Sequence, residues 1–163
     1  MLDSTLNDGL CRTSWRSRPG SFVGLMTLYE SNYIRLRQLL GDPASLPDAR
    51  VSYTPDDCPL YLQVSERSRY TVTFTLTYRF LDGTAVVADP DLQVRVYHDA
   101  RLGEVLHCAR WHQQRIFALL RREVWSDPQA RARLREMDQR WRRNILLNKW
   151  LDYCVERGHS FSS

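Results

Sequence analysis

Two short stretches of this chain collect residue types that do chemistry. Glu66-Arg-Ser-Arg-Tyr-Thr71 supplies a carboxylate, two guanidinium groups and a phenol, and Val94-Arg-Val-Tyr-His-Asp-Ala100 adds a guanidinium, a phenol, an imidazole and a carboxylate. Each lies at the end of a strand-like run. If those strands are antiparallel neighbours, Glu66, Arg69, His98 and Asp99 arrive at one end of one sheet, with Glu104 opening the next strand nearby. Arginine pairs with anions through a fork of donors, and imidazole exchanges protons near neutral pH. The stretches therefore form a candidate ligand site: Arg69 and Arg95 receive negative charge, Tyr70 and Tyr97 are walls, and His98 with Asp99 is an orienting pair. An enzymatic alternative, a small hydrolase, uses the same residues, with His98 as general base and Glu66 or Glu104 as its partner. The bland reading is a set of structural ion pairs and turn caps, which gather charge without any reaction.

The elements that must position these residues follow from periodicity. Tyr70, Val72, Phe74, Leu76, Tyr78 and Phe80 alternate with threonines and Arg79, the pattern of a half-buried strand. Asp82-Gly83 favours a tight turn, so Thr84 to Ala88 is expected to fold back antiparallel until Pro90 interrupts the ladder. Strands are also expected around Arg50 to Tyr53, Leu60 to Glu66, Leu92 to Tyr97 and Leu102 to Cys108. A two-residue loop at Arg67-Ser68 would set Glu66 opposite Arg69, while Arg95 and Tyr97 would join the threonine-rich outer face. Ser21 is a plausible cap for a helix through Leu25, Leu28, Tyr29, Tyr33, Leu36 and Leu40, stopped by Gly41 and Pro43. Asp127-Pro128 opens a second, longer helix that persists to Arg157, with Leu134, Met137, Trp141, Leu147, Leu151 and Cys154 on one stripe. Trp111 to Trp125 fits helix or strand equally.

The expected fold is α+β: an antiparallel sheet of about five strands with the N-terminal helix and the long C-terminal helix packed on one face. Residues 1–18 are expected to be a flexible arm, 19–158 a single domain, and 159–163 a tail. A length of 163 residues, 43% of them hydrophobic and 26% charged, suits one globular domain and excludes a wholly disordered chain.

The longest uncharged apolar stretch, Gly20 to Tyr29, falls short of the roughly 20 residues a membrane-spanning helix needs. Asp3, Asp8 and Arg12 stand where a secretory signal would be apolar, so a cytoplasmic location is expected. Cys11, Cys58, Cys108 and Cys154 are scattered in the manner of reduced packing thiols.

From Arg110 to Arg157 twelve Lys or Arg face six Asp or Glu, so the basic character belongs to this segment. Arg131, Arg133, Arg135, Arg140, Arg142 and Arg143 beside Trp141 make nucleic-acid binding an alternative function, although Glu136 and Asp138 interrupt the run as they would on a solvated face. His98, His107, Cys108 and His112 match no zinc spacing, and neither a metal nor another cofactor is expected. No Gly-x-Ser-x-Gly elbow or glycine-rich phosphate loop is present.

The patterns Glu66-x-x-Arg-Tyr-Thr71, Val94-Arg-x-Tyr-His-Asp-Ala100 with Glu104-Val105, and Asn144 followed by Trp150-Leu-x-Tyr-Cys154 and Gly158 resemble the YqiB-like family of small bacterial proteins, a domain of unknown function. Tyr29-Glu-Ser-Asn-Tyr33 resembles its start. The resemblance implies a bacterial cytoplasmic protein and supplies neither substrate nor active residue. From the residues themselves, the leading expectation is a module that binds a small anionic ligand or a protein partner.

Overall fold

Alternation of Val72, Phe74 and Leu76 with threonines makes one face of a strand apolar, and that face must be covered. In a computed structural model, which describes residues 21–108 and 135–162, this strand is the centre of a five-stranded antiparallel sheet in the order β1-β2-β3-β4-β5. The strands are β1 (Ala49–Ser52), β2 (Leu60–Arg67), β3 (Thr71–Asp82), β4 (Ala85–Tyr97) and β5 (Leu102–His107). Two helices, α1 (Phe22–Leu40) and α2 (Arg135–Glu156), supply the cover. The expected α+β arrangement, with both helices against the sheet, is the one found. The proposed arm, the Asp127-Pro128 helix start, Trp111 to Trp125, His112, Cys11, Arg131 and Arg133 all lie outside the described residues.

The Ser21 hydroxyl accepts the Gly24 N–H at 3.0 Å, as a cap should, and Gly41 ends α1 at φ 78°, where a side chain would be strained. Leu36 and Leu39 of α1 and Leu147, Leu151 and Cys154 of α2 are fully buried against Leu60, Phe74, Leu76, Leu92, Val94 and Val96 of the sheet. Each such leucine contributes about 2 kcal/mol through burial. A smaller apolar cluster joins Leu25, Leu28 and Tyr29 of α1 to Trp141 and Ile145 of α2. Gly103 lets α1 approach β5, because a Cβ there would stand 2.7 Å from the Leu36 Cδ1.

A free sheet edge needs partners for its outward backbone groups. On β5, the Val105 N–H donates to Asn144 Oδ1 at 2.9 Å and Asn32 Nδ2 donates to the Gly103 carbonyl at 3.3 Å. Asn32 Nδ2 also meets Asn144 Oδ1 at 3.2 Å, and Asn148 Nδ2 donates to Asn32 Oδ1 at 3.0 Å. Three buried amides thus bind both helices to the sheet margin.

Three details differ from the sequence expectation. The β2–β3 turn closes two residues later than expected, around Arg69-Tyr70, because the Ser68 N–H donates to the Thr71 carbonyl and the Ser68 hydroxyl accepts the Thr71 N–H. Pro90 and Asp91 do displace the β3–β4 register between Leu92 and Asp89, yet β4 is one strand across that irregularity. Its continuity is helped by the Thr77 hydroxyl, which accepts the Asp91 N–H at 3.1 Å. Finally, the residues read as a tail are packed: His159 and Phe161 are buried, the Phe161 N–H donates to the Leu39 carbonyl, and Arg50 donates to the Phe161 carbonyl. Residues 158–162 form a strap beside β1.

Candidate functional site

Strict alternation from Leu60 would place Glu66 on the core face with Leu62 and Val64. A bulge at Ser65 inserts one extra residue, so that Glu66 stands opposite Thr73 and turns to the outer face. Thr73 in turn faces Arg95, and Arg95 faces Glu104. Glu66, Thr73, Arg95 and Glu104 therefore make one row across four strands. The nominated groups converge on the outer face of the sheet as well as at its end.

Contacts in the row are specific. Arg95 donates from Nε to the Thr73 hydroxyl at 3.0 Å and from its terminal nitrogen to Glu66 Oε2 at 3.3 Å. The Tyr97 hydroxyl donates to Glu104 Oε1 at 2.6 Å. Burial and then Glu104 raise the Tyr97 phenol above its ordinary range, against the pull of Arg95. Tyr29 of α1 also hydrogen-bonds Glu104, and burial followed by that carboxylate pushes its phenol up to about 12, with Arg140 and Arg143 opposing. Glu104 is thus a carboxylate held by two tyrosine hydroxyls, and those tyrosines feel the guanidinium groups of Arg95, Arg140 and Arg143.

The remaining nominated residues occupy the adjoining turns. The His98 N–H donates to the Tyr70 carbonyl at 2.8 Å, so these two positions do meet at the sheet end. Arg69 lies over the Tyr70 ring at 5.2 Å and is not opposite Glu66, because the turn closes later than expected. Asp99 Oδ1 accepts the N–H of Ala100, a turn cap, and does not orient His98. Glu66 and Glu104 are engaged by Arg95 and Tyr97, and among the described residues no carboxylate hydrogen-bonds the His98 imidazole as a general base would require.

Sequence reasoning missed Tyr29, and it assigned Arg140 and Arg143 only to a basic face. The wide apolar stripe of α1 disguised Tyr29 as core. Arg143 Nε is buried and makes no hydrogen bond.

A second polar cluster lies at the opposite sheet margin and escaped notice altogether. His159 Nδ1 is 3.0 Å from Ser52 Oγ, and its Nε2 is 3.1 Å from Asp57 Oδ2. The Tyr78 hydroxyl donates to the same Asp57 oxygen at 2.6 Å and meets Cys154 Sγ at 3.3 Å. Burial pushes the Cys154 thiol up to about 12 and drives the Tyr78 phenol well above its usual range. The members are separated by up to 107 positions, so no local spacing announces them. The described residues hold no group of three or more acidic, histidine or cysteine side chains fit to bind a metal. No helix among them is long and apolar enough to cross a membrane.

Comparison with known proteins matches most of the chain. The profile described as "Protein of unknown function (DUF1249)" matches residues 35–160, a span that includes every member of the two clusters except Tyr29. The chain is 31% identical over 137 residues to "Uncharacterized protein YqiB" of Escherichia coli K12, covering 84% of this chain and 90% of that protein. The same identity and coverage hold for the proteins of that name in the O6:H1 and O157:H7 strains. No solved structure matches. By profile and by identity, the chain belongs to the YqiB-like DUF1249 family, whose function is unknown.

Proposed function

We propose that this protein is a cytoplasmic binding module for a small anionic ligand, a carboxylate or phosphate, held near the Glu66–Thr73–Arg95–Glu104 row with Arg140 and Arg143 as further cationic groups. The supporting observation is the buried Arg143 Nε, a guanidinium donor with no acceptor. Leaving such a donor unmatched costs about 1–3 kcal/mol, which an incoming oxyanion would offset. Arg95 is suited to exchange. Its bond to Glu66 is a single 3.3 Å contact between side chains that are 31% and 61% exposed, a pairing of small net strength. A ligand oxyanion can take the fork of donors in place of Glu66, while Tyr97 and Tyr29 fix Glu104 and keep it from closing on the arginines. His98 and Arg69, in the adjoining turns, act as a rim.

The test is calorimetry and thermal shift with inorganic phosphate, pyrophosphate and citrate at constant ionic strength. The expected result is saturable binding by one of them, weakened about tenfold or more by R95A and by R143A. Absence of saturable binding for all three, or binding indifferent to both substitutions, overturns the proposal.

A further inference from the structure

The second cluster supports a different activity, independent of the anion site. We propose that Ser52, His159 and Asp57 form a nucleophilic triad that hydrolyses small uncharged acyl esters. The geometry has the connectivity such chemistry requires. A serine hydroxyl is 3.0 Å from one imidazole nitrogen, and a carboxylate oxygen is 3.1 Å from the other. Ser52 meets Nδ1 and Asp57 meets Nε2, the reverse of the commoner assignment of the two nitrogens. The requirement is only that one nitrogen accept the serine proton while the other is held as a donor. Asp57 sets that tautomer: it accepts the Nε2 proton, and the Tyr78 hydroxyl, donating to the same oxygen at 2.6 Å, holds the carboxylate in place. Nδ1 is then the acceptor that faces Ser52 Oγ.

Two more features complete the corner. The Ser160 N–H donates to Ser52 Oγ at 3.2 Å, close enough to turn to the oxyanion that forms two bonds away, on the carbon that Oγ attacks. The Thr54 hydroxyl is buried with no hydrogen-bond partner, and its methyl group faces Gly158, the residue before His159. It is an uncommitted group for a substrate carbonyl or a hydrolytic water. The histidine side chain is 0% exposed and Ser52 only 6%, whereas Tyr53 and Ser160 beside it are open to solvent. A nucleophile so largely enclosed suits a small acyl group such as acetyl. Cys154 is not the nucleophile, since its buried thiol stays protonated.

In the first step the Ser52 hydroxyl proton passes to His159 Nδ1 as Oγ bonds to the ester carbonyl carbon. The carbonyl oxygen takes the negative charge beside the Ser160 N–H. Collapse breaks the bond from carbon to the alcohol oxygen, which leaves with the proton from His159. Water then attacks the acyl-Ser52 ester, giving its proton to His159. Cleavage of that ester bond returns the proton to Ser52 and releases a carboxylic acid.

The same hydrogen bonds would serve if the cluster merely fastened the strap to β1, so the test must read reactivity. The native protein is treated with a small alkyl fluorophosphonate, and the adduct is located by peptide mass mapping. Turnover of p-nitrophenyl acetate is measured in a C11S/C58S background, which removes Cys11 and the thiol that is exposed among the described residues. The expected result is a single phosphonyl adduct on Ser52 and an ester hydrolysis rate lowered about 100-fold or more by S52A. D57N, which tests a positioning residue, should lower kcat with KM unchanged and with melting temperature followed alongside. Absence of an adduct on Ser52, or turnover unchanged in a folded S52A protein, overturns the proposal. Should S52A fail to fold, the adduct site in the native protein decides alone.

Discussion

Replacing Asn144 by alanine tests the claim that side-chain amides close the β5 margin. Asn144 Oδ1 accepts from the Val105 N–H at 2.9 Å and from Asn32 Nδ2 at 3.2 Å, while its Nδ2 donates to the Arg140 carbonyl at 2.7 Å. Alanine leaves the Val105 N–H with no acceptor at a residue only 2% exposed. That orphan donor costs about 1–3 kcal/mol, and the two further bonds are worth about 1 kcal/mol each. Asn32 keeps the Gly103 carbonyl, so part of the loss is recovered. The net expectation is about 3 kcal/mol. Asn144→Leu separates amide chemistry from volume: it fills the space, provides no acceptor, and should cost about as much. Urea unfolding of both variants gives the energies, with Lys149→Ala, exposed on the same helix, as a control near zero. Hydrogen exchange at the Val105 amide should accelerate in both variants beyond the change in global stability. A loss below about 1 kcal/mol for Asn144→Ala, or full recovery by leucine, would refute the reasoning.

Further outcomes follow from other contacts. Gly103→Ala should cost about 2 kcal/mol in the same unfolding assay, because its Cβ meets Leu36 Cδ1 at 2.7 Å and the Tyr33 backbone nitrogen at 3.4 Å. Truncation after Gly158 removes buried His159 and Phe161 and should lower stability by about 4 kcal/mol or more, measured by thermal and urea melts; a shift near zero would show the strap to be dispensable. Alkaline pH should also unfold the protein. Burial raises Cys108 from 9.0 to about 11, Cys154 from 9.0 to about 12 and Tyr29 from 10.0 to about 12. These groups ionise first in the unfolded chain, so their stabilising contribution is whole below pH 9.0 and fades as the folded values are reached. Each loses about 1.4 kcal/mol per pH unit across its own interval, and urea melts of Cys108→Ala and Cys154→Ala at pH 8 to 11 should show a shallower decline.

Local pattern made the antiparallel sheet and both helices readable, because burial of one face imposes a period of two on β3 and a stripe on α1 and α2. Ser21, Gly41 and Pro90 marked their irregularities for the same reason: each carries a backbone constraint that is visible in one residue. Glu66 shows where such reading stops. Its face depends on the Ser65 bulge, which arises from how β2 and β3 mesh and leaves no mark in alternation. Arg69 was misplaced because the Ser68 hydroxyl, and not loop length alone, decides where that turn closes. The His159 cluster was invisible for a deeper reason. Its residues come from β1, the β1–β2 connection, β3, α2 and the strap, so only tertiary packing brings them together. Asn144 was noticed through resemblance to the family pattern, but its bond to a β5 amide needed coordinates.

The order of elements along the chain has a consequence for synthesis. All five strands precede α2 and the strap, yet Leu147, Trp150, Leu151, Cys154 and Phe161 furnish much of the lid over the sheet's oily side. A ribosome therefore leaves that oily side partly uncovered until it has built the roughly fifty residues that run from β5 through the strap, a delay that codon choice over that stretch of the message would lengthen or shorten.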